Sequence, residues 1–153
     1  MKKILFTLII MVFGLSVFAG ENDALKFFNN YVNASNNYSS TVLKMYSDNA
    51  KITRQVIKPN GQLVNVPFSV DDYKKQMKIS SKLAKIRKYK NYYSDINVTK
   101  VANGYRIDAK RKPSLSDYTL KTSMVVQQQS DGNWLIVEEL MQTKEQIFLK
   151  YLK

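Results

Sequence analysis

The side chains of this sequence that could do chemistry are carboxylates and tyrosines. Its 153 residues include no histidine and no cysteine, which removes imidazole bases, thiol nucleophiles and the usual zinc ligand sets. There is no Gly-x-Ser-x-Gly or Ser-x-x-Lys arrangement (Ser80-Ser81-Lys82 is neither), and the five glycines build no phosphate-cradling loop. What remains is a carboxylate acting as general base, with tyrosine hydroxyls steadying an oxyanion. Asp48, Asp95, Asp108 and Glu138 are the candidate bases, and Tyr31, Tyr46 and Tyr105 the candidate donors. Structural roles compete for each. Asp48 suits a helix-terminal turn, Asp108 alternates outward with Arg106 and Lys110, and tyrosines commonly rim cores. No residue is assigned a catalytic role.

Glu138 is the sharpest of these positions. It shares a strand face with Trp134, Ile136 and Leu140. If that face is buried, the carboxylate needs a partner, because unpaired buried charge is costly, and Arg54 and Arg106 are the arginines to consider. The opposite face, with Leu135, Val137 and Met141, is as apolar; if it is the buried one, Glu138 is exposed. Periodicity leaves both readings open.

The formal charge is +12, and +10 once Lys2 and Lys3 are set aside. Lys74, Lys75, Lys78, Lys82, Lys85, Arg87, Lys88 and Lys90 crowd into seventeen residues, and Lys110-Arg111-Lys112 forms a second cluster. Such a field attracts anionic partners. Twenty of the 24 basic residues are lysine, whereas base readout in nucleic acid favours the arginine fork. Nucleic acid is therefore not an expected partner.

The elements that must position these residues follow from pattern. Ala24, Phe28, Tyr31, Ser35, Tyr38, Val42 and Met45 recur at helical steps, predicting helices over 22–35 and 38–47 broken at Asn36-Asn37. A hairpin follows, with strands 51–57 and 62–68 about the turn Lys58-Pro59-Asn60-Gly61; Pro67 marks the return strand as an edge. Ser69, with Asp72 three residues on, starts a third helix running to Lys85. Its expected core face is Tyr73, Met77, Ile79 or Ser80, Leu83 and Ile86, with lysines outside. Strands 92–101, 105–110, 118–126 and 134–143 and a short terminal helix complete one α+β domain over residues 20–153.

The first nineteen residues read as a cleavable export signal, with Lys2 and Lys3 ahead of the apolar run Ile4 to Phe18 and a cut after Ala19. That run is shorter than the ~20 residues needed to span a bilayer as a helix, and no cysteine stands at the cut to take a lipid. A periplasmic or secreted protein is the expectation. With no disulfide available, stability must come from the core, which 134 residues can supply.

Two passages carry a resemblance. Leu43-Lys44-Met45-Tyr46-Ser47-Asp48-Asn49-Ala50-Lys51-Ile52 resembles the helix-to-strand passage of the nuclear-transport-factor-2-like (NTF2-like) superfamily, which includes SnoaL-type cyclases and ketosteroid isomerase. Asp131-Gly132-Asn133-Trp134-Leu135-Ile136 resembles its last hairpin and strand. The resemblance implies N-terminal helices packed against a curved antiparallel sheet, forming a cone with a concave cavity. Its enzymes place an Asp–His pair or a Tyr–Asp set in that cone, and the lack of histidine puts the first out of reach.

The function expected is a non-enzymatic binding domain. An apolar or amphipathic small molecule would sit among Tyr31, Tyr46, Tyr105, Met124, Trp134 and Glu138, or an anionic partner would meet Lys74, Lys78, Lys82 and Lys85. A carboxylate-base isomerase or cyclase is the alternative. A third is an accessory subunit of an envelope or secretion complex, favoured if side chains fill the cone and the sheet's outer face is apolar. A small apolar ligand or lipid and an envelope protein are the partners considered. A homodimer stays open, and no cofactor or metal is expected.

Overall fold

Asn36 and Asn37 end the first helix, as their capping preference requires. In the computed structural model α1 spans Thr7–Asn36, Tyr38 takes a left-handed φ of 58°, and the Ser39 N–H closes the turn on the Ala34 carbonyl at 2.9 Å. Residues 7–152 are described, residues 7–19 as backbone only, so the expected signal lies outside the described side chains. A 3-10 helix, Ser40–Met45, takes the place of the second predicted helix, its first turn capped by the Ser39 hydroxyl.

β1 (Tyr46–Ile57) starts five residues before the predicted Lys51, because its opening residues also run along β6 across a register irregularity. β2 (Leu63–Phe68) returns as a hairpin, with Gly61 at φ +82° in the turn. Pro67 is tolerated because β2 is an edge. α2 (Val70–Ile86) opens with Ser69 accepting from the Asp72 N–H at 3.1 Å while donating to its carboxylate at 2.7 Å. β3 (Asn91–Val101), β4 (Gly104–Pro113), β5 (Leu120–Gln128) and β6 (Trp134–Thr143) follow. Gly104 cannot be replaced freely: at φ +150°, an added Cβ would meet the Val126 carbonyl oxygen at 2.2 Å. The terminal helix is of 3-10 type, Gln146–Tyr151, and sets Phe148 and Tyr151 against Phe68.

The six strands form one curved, unclosed sheet in the order β2-β1-β6-β5-β4-β3. All neighbours are antiparallel except β1 and β6, which run parallel. Irregularities at Ser94/Asn97 and Val125/Val126 add local bend, as bulges do. The concave face carries the core, with Ile52, Val56, Ile107, Met124, Val126 and Ile136 beneath Phe28, Tyr31 and Val42. On the convex face Gln142 bonds Gln55 at 2.8 Å and Gln55 bonds Asn65 at 2.9 Å. That surface is largely polar, which removes one of the two features that favoured an accessory subunit.

α2 departs from expectation. Val70 and Tyr73 are buried and Met77 partly so, but Ile79, Leu83 and Ile86 are 70%, 48% and 78% exposed. The reason is angular. At 3.6 residues per turn, positions 79 and 86 lie opposite 70, 73 and 77.

Candidate functional site

The alternation of β6 is broken once, and the break decides which glutamate enters the cone. Val126 pairs with Ile136 and Val125 with Glu138, leaving Val137 as the extra residue of a bulge. Ile136 therefore points inward and so does Glu139, three residues on, while Glu138 points out. Neither regular reading of the strand holds over its whole length. Glu138 sits on the convex face, 3.9 Å from Lys51, its side chain half exposed. It does not line the interior.

Glu139 is the centre of a closed polar cluster. On β1, Ile52, Arg54 and Val56 share the inward face, which brings Arg54 Nη1 within 2.6 Å of Glu139 Oε1. The Tyr46 hydroxyl donates to Glu139 Oε2. Tyr73 enters from the first turn of α2, its hydroxyl 3.1 Å from that of Tyr46, and Tyr31 enters from α1 at 3.4 Å. With its single proton on Glu139, Tyr46 receives the proton of Tyr73. The Arg54 guanidinium also lies 4.8 Å from the Tyr73 ring centroid. All five side chains belong to residues no more than 6% exposed.

Burial first, and the nearby Glu139 second, push the Tyr31 and Tyr46 hydroxyls well above the ordinary tyrosine range. The same two causes raise Tyr73 to about 12 against the opposing pull of Arg54. Burial works against the charge of Arg54, but Tyr73, Glu139 and Tyr46 outweigh it and hold the guanidinium above its usual value. As a base Glu139 is poorly placed. Both of its oxygens already accept strong bonds, one charge-assisted, and a substrate would have to displace them.

The other expected site residues separate. Tyr31 and Tyr46 meet, as described. Tyr105 and Trp134 pack together elsewhere, 6.0 Å between centroids, where Gly20 of α1 lets the helix pass the Tyr105 ring. Met124 is a core residue of β5. Asp48 is exposed and 3.3 Å from Lys74, Asp95 pairs at 2.6 Å with Lys110, and Asp108 faces outward on β4. Lys74 is thus engaged, while Lys78, Lys82 and Lys85 are exposed. The second basic cluster is split by strand alternation. Lys110 and Lys112 point out, but Arg111 is buried, giving its protons to Asn91 Oδ1 at 2.8 Å and the Gln142 carbonyl at 2.7 Å. Its Nε is buried with no partner.

Open space lies elsewhere, between α2 and the corner where α1 meets the first 3-10 helix. It has two lobes, of about 430 and 480 Å³, sharing Tyr38, Ser39, Val42, Met77 and Ser81. One lobe continues to Leu43 and Ile79 and is apolar, with Lys78 and Lys82 at its edge. The other reaches Asn36, Tyr89, Asn91, Arg87 and Glu145 and is mixed, joining these polar groups to Leu83, Ala84 and Leu115; it is the more polar of the two. Tyr89 and Asn91 are the residues that hold Arg111, so this lobe backs onto that buried guanidinium. Sequence reasoning missed this cleft because it assigned Ile79 or Ser80 and Leu83, which line it, to the core. It missed Glu139 because Glu138 drew attention to the wrong side of the bulge.

No protein-family model matches the sequence, and no curated protein matches it at a significant level. Solved structures do match by shape. An NTF2-like protein with a cystatin-like fold from Novosphingobium aromaticivorans superposes with a TM-score of 0.63 at 7% identity, covering 100% of this chain and 99% of that one. An NTF2-like protein of unknown function from Pseudomonas putida gives 0.61 at 10% identity, over 82% and 87%. A Shewanella frigidimarina protein proposed to be a ketosteroid isomerase gives 0.55 at 12%, over 76% and 91%. At such identities the likeness speaks for architecture alone. With helices on the concave face of a curved six-stranded sheet, this chain has the NTF2-like fold.

Proposed function

We propose that this chain is a non-enzymatic binding domain, exported to the periplasm or beyond, that holds an amphipathic small molecule or lipid in the cleft beside α2. The observation that carries this reading is the division of the cleft into an apolar lobe and a mixed, more polar one, while the tyrosines and Glu139 saturate one another inside the cone. A ligand with an apolar arm would lay it along Val42, Leu43 and Met77 and turn its polar end toward Asn36, Asn91 and Tyr89. Sites of this kind join a mostly apolar wall to a few placed polar groups. The test is native mass spectrometry of the protein purified from its own envelope, then a denaturing spectrum of what it releases. A small molecule carried by the wild type and lost from Ala84→Trp supports the reading. An empty wild type, or a variant that still carries the molecule, overturns it.

A second reading has one observation in its favour. Glu139 and Tyr46 are a carboxylate and a tyrosine inside the cone, the pair a carboxylate-base isomerase would use. It requires the Arg54 contact to open. Turnover of an enolisable ketone that disappears in Glu139→Gln would support it, and the absence of turnover in the wild type would dismiss it.

A further inference from the structure

We infer that the outward face of α2 docks on an anionic lipid bilayer. Ile79, Leu83 and Ile86 recur at steps of four and three residues, which places them in one stripe, and all three are exposed. The inward side of the helix is already supplied with Val70, Tyr73 and Met77, so the stripe is not a displaced core face. Beside it run Lys75, Lys78, Lys82 and Lys85, all exposed. Among the described residues none of these four has a carboxylate within 4.0 Å. The acids of α2, Asp71 and Asp72, are confined to its first turn. The last turns therefore present apolar side chains and uncompensated positive charge together.

That combination selects the partner. A soluble polyanion would be met by the lysines alone, and two isoleucines at the pole of the helix would only add to the apolar surface in water. A bilayer uses both. Apolar side chains enter the boundary between headgroups and chains, while lysine stems lie along the surface and carry their charges to the phosphates. A single straight helix face is convex and suits a planar surface, and each lysine near an anionic leaflet strengthens binding about fivefold. The docking face borders the cleft, since Leu83 lines one lobe and Lys78, Ile79 and Lys82 the other. Lys75, Lys85 and Ile86 line neither, so a variant of the two lysines tests the face without touching the cleft.

The experiment is co-sedimentation of the mature protein with vesicles of phosphatidylcholine alone, or of phosphatidylcholine with about one part in three phosphatidylglycerol. The wild type is expected to bind the anionic vesicles, bind neutral ones at least about tenfold more weakly, and release as salt rises. Ile79→Ser with Ile86→Ser should weaken binding about tenfold, and Lys75→Gln with Lys85→Gln by about twentyfold. All four positions are exposed, and far-ultraviolet circular dichroism checks that each variant folds. Failure of the wild type to sediment with anionic vesicles overturns the inference. So does equal binding to neutral vesicles, or unchanged binding by either double variant. An isoleucine variant that binds as the wild type does would instead identify a polyanion surface.

Discussion

The Tyr46 hydroxyl and the Glu139 carboxylate, 93 residues apart in the chain, form a hydrogen bond in the buried centre of the cone. With Arg54 on the other carboxylate oxygen, the bond turns a costly buried charge into a satisfied network. The cluster ties together α1, β1, β6 and α2, of which α1 and α2 also line the cleft.

Removing one partner of the Arg54–Glu139 pair should be severe. Arg54→Met leaves the carboxylate buried without its counter-ion and should lower unfolding free energy by about 3–5 kcal/mol. Adding Glu139→Leu should restore much of that loss, because two apolar residues can occupy a site that one stranded charge cannot. Urea titration of both singles and the double measures the cycle. A double variant as unstable as the sum of the singles would contradict the pairing.

Alkali should unfold the protein through its tyrosines. Below about pH 10 the hydroxyls are protonated in folded and unfolded chains alike, and their contribution is fully present. As pH rises further the unfolded chain loses protons that the folded one keeps, so stability falls until the folded hydroxyls titrate, near 12 for Tyr73, with Tyr31 and Tyr46 also raised well above the ordinary tyrosine value. The slope should be about 1.4 kcal/mol per pH unit for each such tyrosine. Tyrosinate absorbance followed against pH should show a late group rising together with loss of circular dichroism. Titration of every tyrosine near 10 with the fold intact would show the cluster to be open to water.

The β6 bulge makes an asymmetric prediction about deletions. Deleting Val137 leaves Ile136, Glu138 and Glu139 in regular alternation and keeps Glu139 inward. The variant should fold, at a cost of about 1–2 kcal/mol from lost curvature and contacts. Deleting Leu140 shifts Met141 and Thr143 to the opposite face and should abolish a cooperative urea transition. Equal tolerance of both deletions would argue against this register.

Ala84→Trp should fill the more polar lobe without disturbing the core, since Ala84 is only partly buried and lines the cleft. Stability should change by less than about 1 kcal/mol, while an apolar fluorescent probe that binds the wild type should bind at least about tenfold more weakly. Equal probe binding would place the probe outside the cleft.

Much of the fold was legible. The Ser69 cap, the turn ending in Gly61 and the alternation of Leu120, Thr122, Met124 and Val126 are local signals, carried by neighbours within a few residues. They located α2 and the strands to within a residue or two, apart from the early start of β1 and the late end of β4 at Pro113. The site was less legible. Glu139 was hidden because a bulge depends on how β5 pairs with β6, and an inserted residue looks the same in sequence as a regular one. Arg111 looked like part of a surface cluster until its strand took a place in the sheet.

By itself the sequence determined the class of chemistry: no histidine or cysteine, many tyrosines, a large excess of lysine, and an order of helices and strands that makes an α+β domain. These follow from composition and short-range periodicity, which need no partner across space. Only the tertiary structure decided which glutamate is buried, which arginine faces it, and which side of α2 remains in water. Those choices rest on strand register and helix rotation. A shift of one residue exchanges the two faces of a strand, and only long-range packing selects between them.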